Sequence, residues 1–167
     1  MKLRFFLLGC WCLLASPAPF CRTPCGLETV AGNCTELRRV EGLFVRAVAE
    51  TIPLREDPNA MLRACKALRG WRIEPRALKP SDRVVCGQGW VLDGNTFCVI
   101  GYTHEGAQRV EVVGTEWGKN ATAHELMHVV DLATLGQPGH CQWGQRGVHK
   151  ALKAVTGTDD TTEGNCP

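Results

Sequence analysis

The sequence predicts an α+β fold in which helices pack on a small antiparallel sheet and disulfides staple the whole. Three observations lead there. Two amphipathic helical patterns occupy roughly 35–68, short β-type runs separated by glycine-rich turns fill roughly 84–113, and a further helix-forming run begins near 120. The 167 residues hold no internal repeat, low-complexity tract or linker, so a single domain over 19–167 is the simplest organisation.

The chain starts Met1-Lys2-Leu3-Arg4, continues as an apolar run from Phe5 to Ala15, and closes with Ser16-Pro17-Ala18-Pro19. Charge, apolar core and small residues in that order predict an export signal over 1–18. Leu7-Leu8-Gly9-Cys10 also fits a lipobox, so a lipid anchor at Cys10 stands as an open alternative to free secretion. No other stretch is long enough to cross a bilayer. Of ten cysteines, Cys10 and Cys12 fall in the signal, and the remaining eight are an even set, as expected of disulfides formed in an oxidising compartment.

Each element has its own signal. Phe20 to Gly32 reads as a strap tied down by Cys21 and Cys25. Leu37, Val40, Phe44, Val45 and Val48 recur at helical spacing over Thr35–Glu50, and Pro53 ends that helix. Asp57-Pro58 supplies a cap and first-turn proline for a second helix through Leu68, stopped by Gly70; Cys34 and Cys65 are placed to staple the two helices. Beyond Pro75 and Pro80, Val84-Val85, Trp90-Val91-Leu92, Phe97 to Ile100 and Val110 to Val113 read as strands, with a hairpin turn at Asp93-Gly94-Asn95 that makes Cys86–Cys98 the first disulfide to expect. A third helix starts near Asn120 to Thr122 and runs to Leu135, where Gly136 stops it, and a last one covers about Arg146 to Val155. The tail from Thr156 is rich in Gly, Thr and Asp, with Cys166 placed to pin it.

Charge is distributed unevenly. Cys34 to Val85 holds eleven basic and seven acidic residues, and Cys86 to Pro167 holds five and nine. The basic residues alternate with acids along helices, which reads as solvated helix faces and gives no reason to expect a nucleic-acid partner.

The chemistry concentrates in Ala123-His124-Glu125-Leu126-Met127-His128-Val129-Val130-Asp131. On a helix, His124 and His128 lie one turn apart on one face and can grip one metal ion, while Glu125 sits about 100° round and can reach a water beside it. Such a match arises by chance roughly 0.01 times in a chain with this many His and Glu. The plain structural alternative is an amphipathic helix with Thr122 and Glu125 as a capping box and the histidines as packing groups.

Two histidines do not complete a catalytic zinc site; a third protein ligand is needed, with one position left for water. His140 is the leading candidate. From His128 to Gly136 the helix travels about 12 Å, and the four residues to His140 span at most about 13 to 14 Å, so the chain can just return. Glu163, Asp159, Asp160 and His149 are the alternatives. Zn2+ there would lower the pKa of bound water toward roughly 7, with Glu125 as general base. Tyr102 and His104 are candidates to stabilise an oxyanion, and the strand Arg109 to Val113 is a candidate cleft rim that would bind an extended peptide by strand addition.

A strand region followed by a helix bearing His124-Glu125-Leu126-Met127-His128 resembles the zincin metallopeptidases over roughly Cys98 to Cys141. The extension to Asp131 is similar to the H-E-x-x-H-x-x-D pattern of the anthrax-lethal-factor-like zincins, and by that similarity Asp131 would orient a ligand histidine. Those proteins take a Glu from a later helix as third ligand, whereas the only Glu after Asp131 here is Glu163. The resemblance implies a zinc endopeptidase acting on peptide or protein substrates, and the N-terminal signal implies its export. The rival class is a secreted, disulfide-rich structural or binding protein without activity.

Overall fold

The structure is a computed structural model that describes residues 21–29, 34–51, 56–76, 90–92, 95–97, 101–113, 119–137 and 139–157. The export signal expected over 1–18 with Cys10, the strand expected at Val84-Val85, the expected Cys86–Cys98 pairing and the tail with Asp159, Asp160 and Glu163 lie outside the described residues. In chain order the elements are β1 (Cys21–Arg22), β2 (Glu28–Thr29), α1 (Cys34–Ala49), α2 (Ala60–Ala67), β3 (Arg72–Arg76), β4 (Trp90–Leu92), β5 (Asn95–Phe97), β6 (Gly101–His104), a 3₁₀ turn (Glu105–Ala107), β7 (Arg109–Val113), α3 (Lys119–Leu135) and α4 (Val148–Thr156). The class is α+β. Among the described residues no helix is long and apolar enough to cross a membrane.

The main sheet has the order β1-β2-β3-β7-β6, with β4 and β5 forming a separate antiparallel pair. It is mixed where an antiparallel sheet was expected: β2, β3 and β7 run parallel, and β1 and β6 are antiparallel to their neighbours. The cause is the connection from β2 to β3, which passes through α1 and α2, and a helical crossover returns the chain in the same direction. β3 itself carries no strand signal, because Arg72-Ile73-Glu74-Pro75-Arg76 has two arginines and a proline, yet it pairs with β7 along its whole length. The strand expected to rim a cleft, β7, is bonded to β3 on one side and β6 on the other, so it has no free edge for a peptide. Among the described residues the edge on that side of the sheet belongs to β6.

Alternation sorts the sheet's two faces. Ile73, Val110 and Val112 are fully buried against the helices. Their neighbours face the other way and form an ion-pair lattice: Arg76 with Glu111 at 2.9 Å, Arg109 with Glu111 at 3.0 Å and Arg109 with Glu74 at 3.3 Å. α1 turns the predicted stripe inward, with Leu37, Val40, Phe44, Val45 and Val48 all buried.

The strap is held as expected at Cys21 and Cys25, but the partners differ from the staple foreseen between the helices. Cys34 bonds Cys21 and Cys65 bonds Cys25, so each helix is tied to the strap and not to the other helix. The strap lies across the start of α1 and the end of α2, which brings its cysteines nearer than the helices bring theirs. The cap of the second helix is Asn59, with Asp57 Oδ1 accepting the Asn59 N–H at 2.9 Å in the turn before it. Disulfides of this kind are the chemistry of an oxidising compartment.

Candidate metal centre

α3 is the element on which the site is built. Leu126, Met127, Val129 and Val130 are buried at 1 % exposure or less and fix the helix's rotation. That rotation leaves His124 and His128 half-buried, side by side one turn apart. At the helix's end Gly136 takes φ +68° and donates its N–H to Leu132 O at 3.0 Å, a left-handed stop that a residue with a Cβ adopts at a cost. The chain then reverses and brings His140 back to the helix.

Nε2 of His128 stands 3.2 Å and Nε2 of His140 2.9 Å from Nε2 of His124. The three ring centroids are 4.7 to 4.9 Å apart. An imidazole nitrogen has one in-plane position for a proton or a lone pair, so His124 Nε2 cannot serve two ring nitrogens as a hydrogen-bond partner along one direction. One shared ion would resolve the conflict. Ligands at about 2.0–2.1 Å around a tetrahedral zinc are separated by about 3.3 Å, close to both spacings seen here. The donor set also fits: three neutral nitrogens suit zinc, copper, nickel or iron and not calcium or magnesium.

Glu125 lies beside this cluster, 6 % exposed. Its Oε2 accepts the Thr103 hydroxyl at 2.6 Å. Gly101, two residues earlier on β6, leaves the room the side chain occupies: a Cβ there would stand 2.5 Å from Glu125 Cγ and 2.7 Å from its Oε1. Burial raises the pKa of the Glu125 carboxyl, and the Thr103 hydrogen bond and the charges of His124 and His104 partly offset it. Thr122 sits inside α3, and Glu125 turns to Thr103, so the two are not a capping box.

Comparison with protein-family models, with curated proteins and with solved structures finds no match to this chain. What the site can do therefore rests on its own geometry.

Asp131 is fully buried, and its partners are Trp143, whose Nε1 donates to Oδ2 at 2.9 Å, and Arg146, whose guanidinium spans both carboxylate oxygens. Burial raises its pKa, while Arg146 and Trp143 pull the other way. The Asp131 carboxylate thus meets the histidines through the Trp143 indole and not directly. Cys141, beside His140, is disulfide-bonded.

The structure does not bring Tyr102 and His104 to the cluster as oxyanion stabilisers. They alternate with Gly101 and Thr103, so they stand on the sheet's other face, where Arg76 lies 5.5 Å over the Tyr102 ring and His104 Nε2 is 3.5 Å from Glu111. Nor does His149, on α4, join the three histidines. Gly101, Thr103, Trp143 and Arg146 carry no motif, and sequence reasoning passed over them. The one usable hint was Trp143-Gly144, an aromatic placed shortly after His140 in an otherwise polar loop.

Proposed function

We propose that this chain is an exported zinc endopeptidase with His124, His128 and His140 as ligands and Glu125 as general base. The observation that carries the reading is the clustering of three histidines, with Nε2 of His128 and Nε2 of His140 each at ligand-to-ligand spacing from Nε2 of His124, beside a buried glutamate. When bound, zinc supplies Lewis acidity, polarising a carbonyl and making water more acidic. The protein's own groups do the rest. Thr103 holds one Glu125 oxygen, and the other is left to take a proton from the attacking water and pass it to the leaving amine. The three histidines are each half-buried, so the cluster is not sealed from solvent. Disulfides in the described residues agree with export, and a lipid anchor at Cys10 remains part of the proposal's scope.

Metal analysis of the purified mature protein tests the first half, with one zinc per chain expected. A Glu125→Ala variant tests the second: it should keep its zinc and lose hydrolysis of an unstructured protein substrate. Unchanged hydrolysis in that variant removes Glu125 from the mechanism, and a zinc-loaded wild type without hydrolysis leaves a binding or structural site.

A further inference from the structure

His124 and His128 are placed by a helix, but His140 comes from a loop, and a loop does not hold an imidazole to a few tenths of an ångström unaided. One carboxylate on α3 anchors that loop through two of its side chains. Asp131, seven residues beyond His124, carries a buried charge that must be paired. Arg146 pairs it through both terminal nitrogens and, through Nη1, also donates to Cys141 O at 3.2 Å, the carbonyl of the residue next to His140. Trp143 donates to the same carboxylate at 2.9 Å. Its indole is fully buried and stands 4.6 Å from the His140 ring, 4.9 Å from His124 and 5.2 Å from His128, centroid to centroid.

We propose that Asp131, Trp143 and Arg146 form a latch that presses His140 against the helix-borne pair, so that the chain assembles its three-imidazole face before any ion arrives. The inference rests on the metal-site reading above and adds two positioning residues to it. Arg146 sets where the backbone beside His140 runs. Trp143 provides one flat wall against which all three rings are packed. Asp131 ties both to α3. A planar, two-oxygen contact that reaches a carbonyl as well requires a guanidinium, which an ammonium cannot imitate. The indole N–H is likewise the only donor Trp143 has.

Trp143→Phe keeps an aromatic wall and deletes the N–H, and Arg146→Lys keeps the charge and loses the fork. Both should fold, as read by far-ultraviolet circular dichroism. Each should bind Co2+ about ten- to a hundredfold more weakly than wild type, since losing a group that orients a ligand typically costs that much affinity. The Co2+ absorption bands, which report coordination geometry, should shift in the same variants. A metal-free measurement keeps the latch separate from the metal: nuclear Overhauser contacts between the Trp143 and His140 rings should be present in the wild type and lost in Arg146→Lys. Wild-type Co2+ affinity and spectra in both folded variants overturn the latch, as do missing ring contacts in the metal-free wild type. If a variant does not fold, the ring contacts of the wild type and the Co2+ affinity of the other variant decide. A wild type that shows the ring contacts but binds no Co2+ overturns the metal reading, and the latch as a device for metal falls with it.

Discussion

Among the described residues two glutamates are buried, and they are buried for different ends. Glu41 on α1 is 2 % exposed and Glu125 on α3 is 6 % exposed; each bonds a threonine hydroxyl, and burial raises the pKa of each. Around Glu41 every contact closes inward. One oxygen takes Thr23 Oγ1, the other accepts the Cys25 N–H at 3.1 Å, and Thr23 in turn accepts the Leu27 N–H at 3.0 Å. Two disulfides flank the knot. Around Glu125 the contacts stop halfway: Thr103 holds one oxygen, Gly101 withholds a side chain, and three imidazoles gather next door. Burial and a raised pKa are thus common to a structural clasp and a candidate base. What separates them is whether both oxygens already have work within the fold.

The comparison breaks most readily at the carboxylates themselves. Glu125→Ala should lower turnover by about 10²- to 10⁴-fold, the usual contribution of a general base, while the melting temperature barely moves. Glu41→Ala should do the reverse, lowering the melting temperature and leaving turnover per folded molecule unchanged. A Glu41 variant that folds normally but loses turnover would erase the distinction.

Next in size is Gly101→Ala. The added Cβ meets Glu125 Cγ, Cδ and Oε1 at under 3 Å, so the whole glutamate side chain must shift. Turnover should fall by about ten- to a hundredfold from a displacement near 1 Å, with a stability loss of about 1–3 kcal/mol or less. Steady-state kinetics beside thermal denaturation reads both.

The two threonines sharpen the contrast further. A hydrogen bond to a charged group contributes about 1.5–3 kcal/mol. Thr23→Val should express that loss as a lower melting temperature alone. Thr103→Val should express it mainly in turnover, with the melting temperature changed less.

The smallest effect is in pH. The folded-state pKa of Glu41 is raised above 4.5, so the folded chain holds this proton more tightly than the unfolded one. Its stabilising contribution is full below pH 4.5 and is lost as pH rises through the folded pKa. Against a Glu41→Gln variant, which does not titrate there, the wild type should lose melting temperature as pH rises upward from 4.5. A flat difference across that range would show that Glu41 titrates as in the unfolded chain.

Much of this arrangement was legible in the residues because it is local. Leu37 to Val48 announced α1's buried stripe, Gly136 announced the end of α3, and the four-residue spacing of His124 and His128 placed both on one helical face. The return of His140 was legible as a limit on reach, since helix rise and chain extension only just balance. β3 was not legible, because a short strand with Pro75 and two arginines takes its place from its partner β7. The disulfides were not either: Cys34 and Cys65 pair with Cys21 and Cys25 because of where the strap lies, and spacing does not encode that.

By itself the sequence determined the helices, their buried faces, the α+β class and the pair of histidines one turn apart, since periodicity acts between residues a few positions away. Tertiary structure alone decided that the sheet is mixed, that β6 and not β7 lies at its edge, that Thr103 and Gly101 frame Glu125, and that Trp143 and Arg146 stand behind His140. The contacts of Thr103 and Gly101 with Glu125, and of Trp143 and Arg146 with Asp131, join residues 12 to 24 positions apart and are settled by which buried charges and hydroxyls find partners once the layers close.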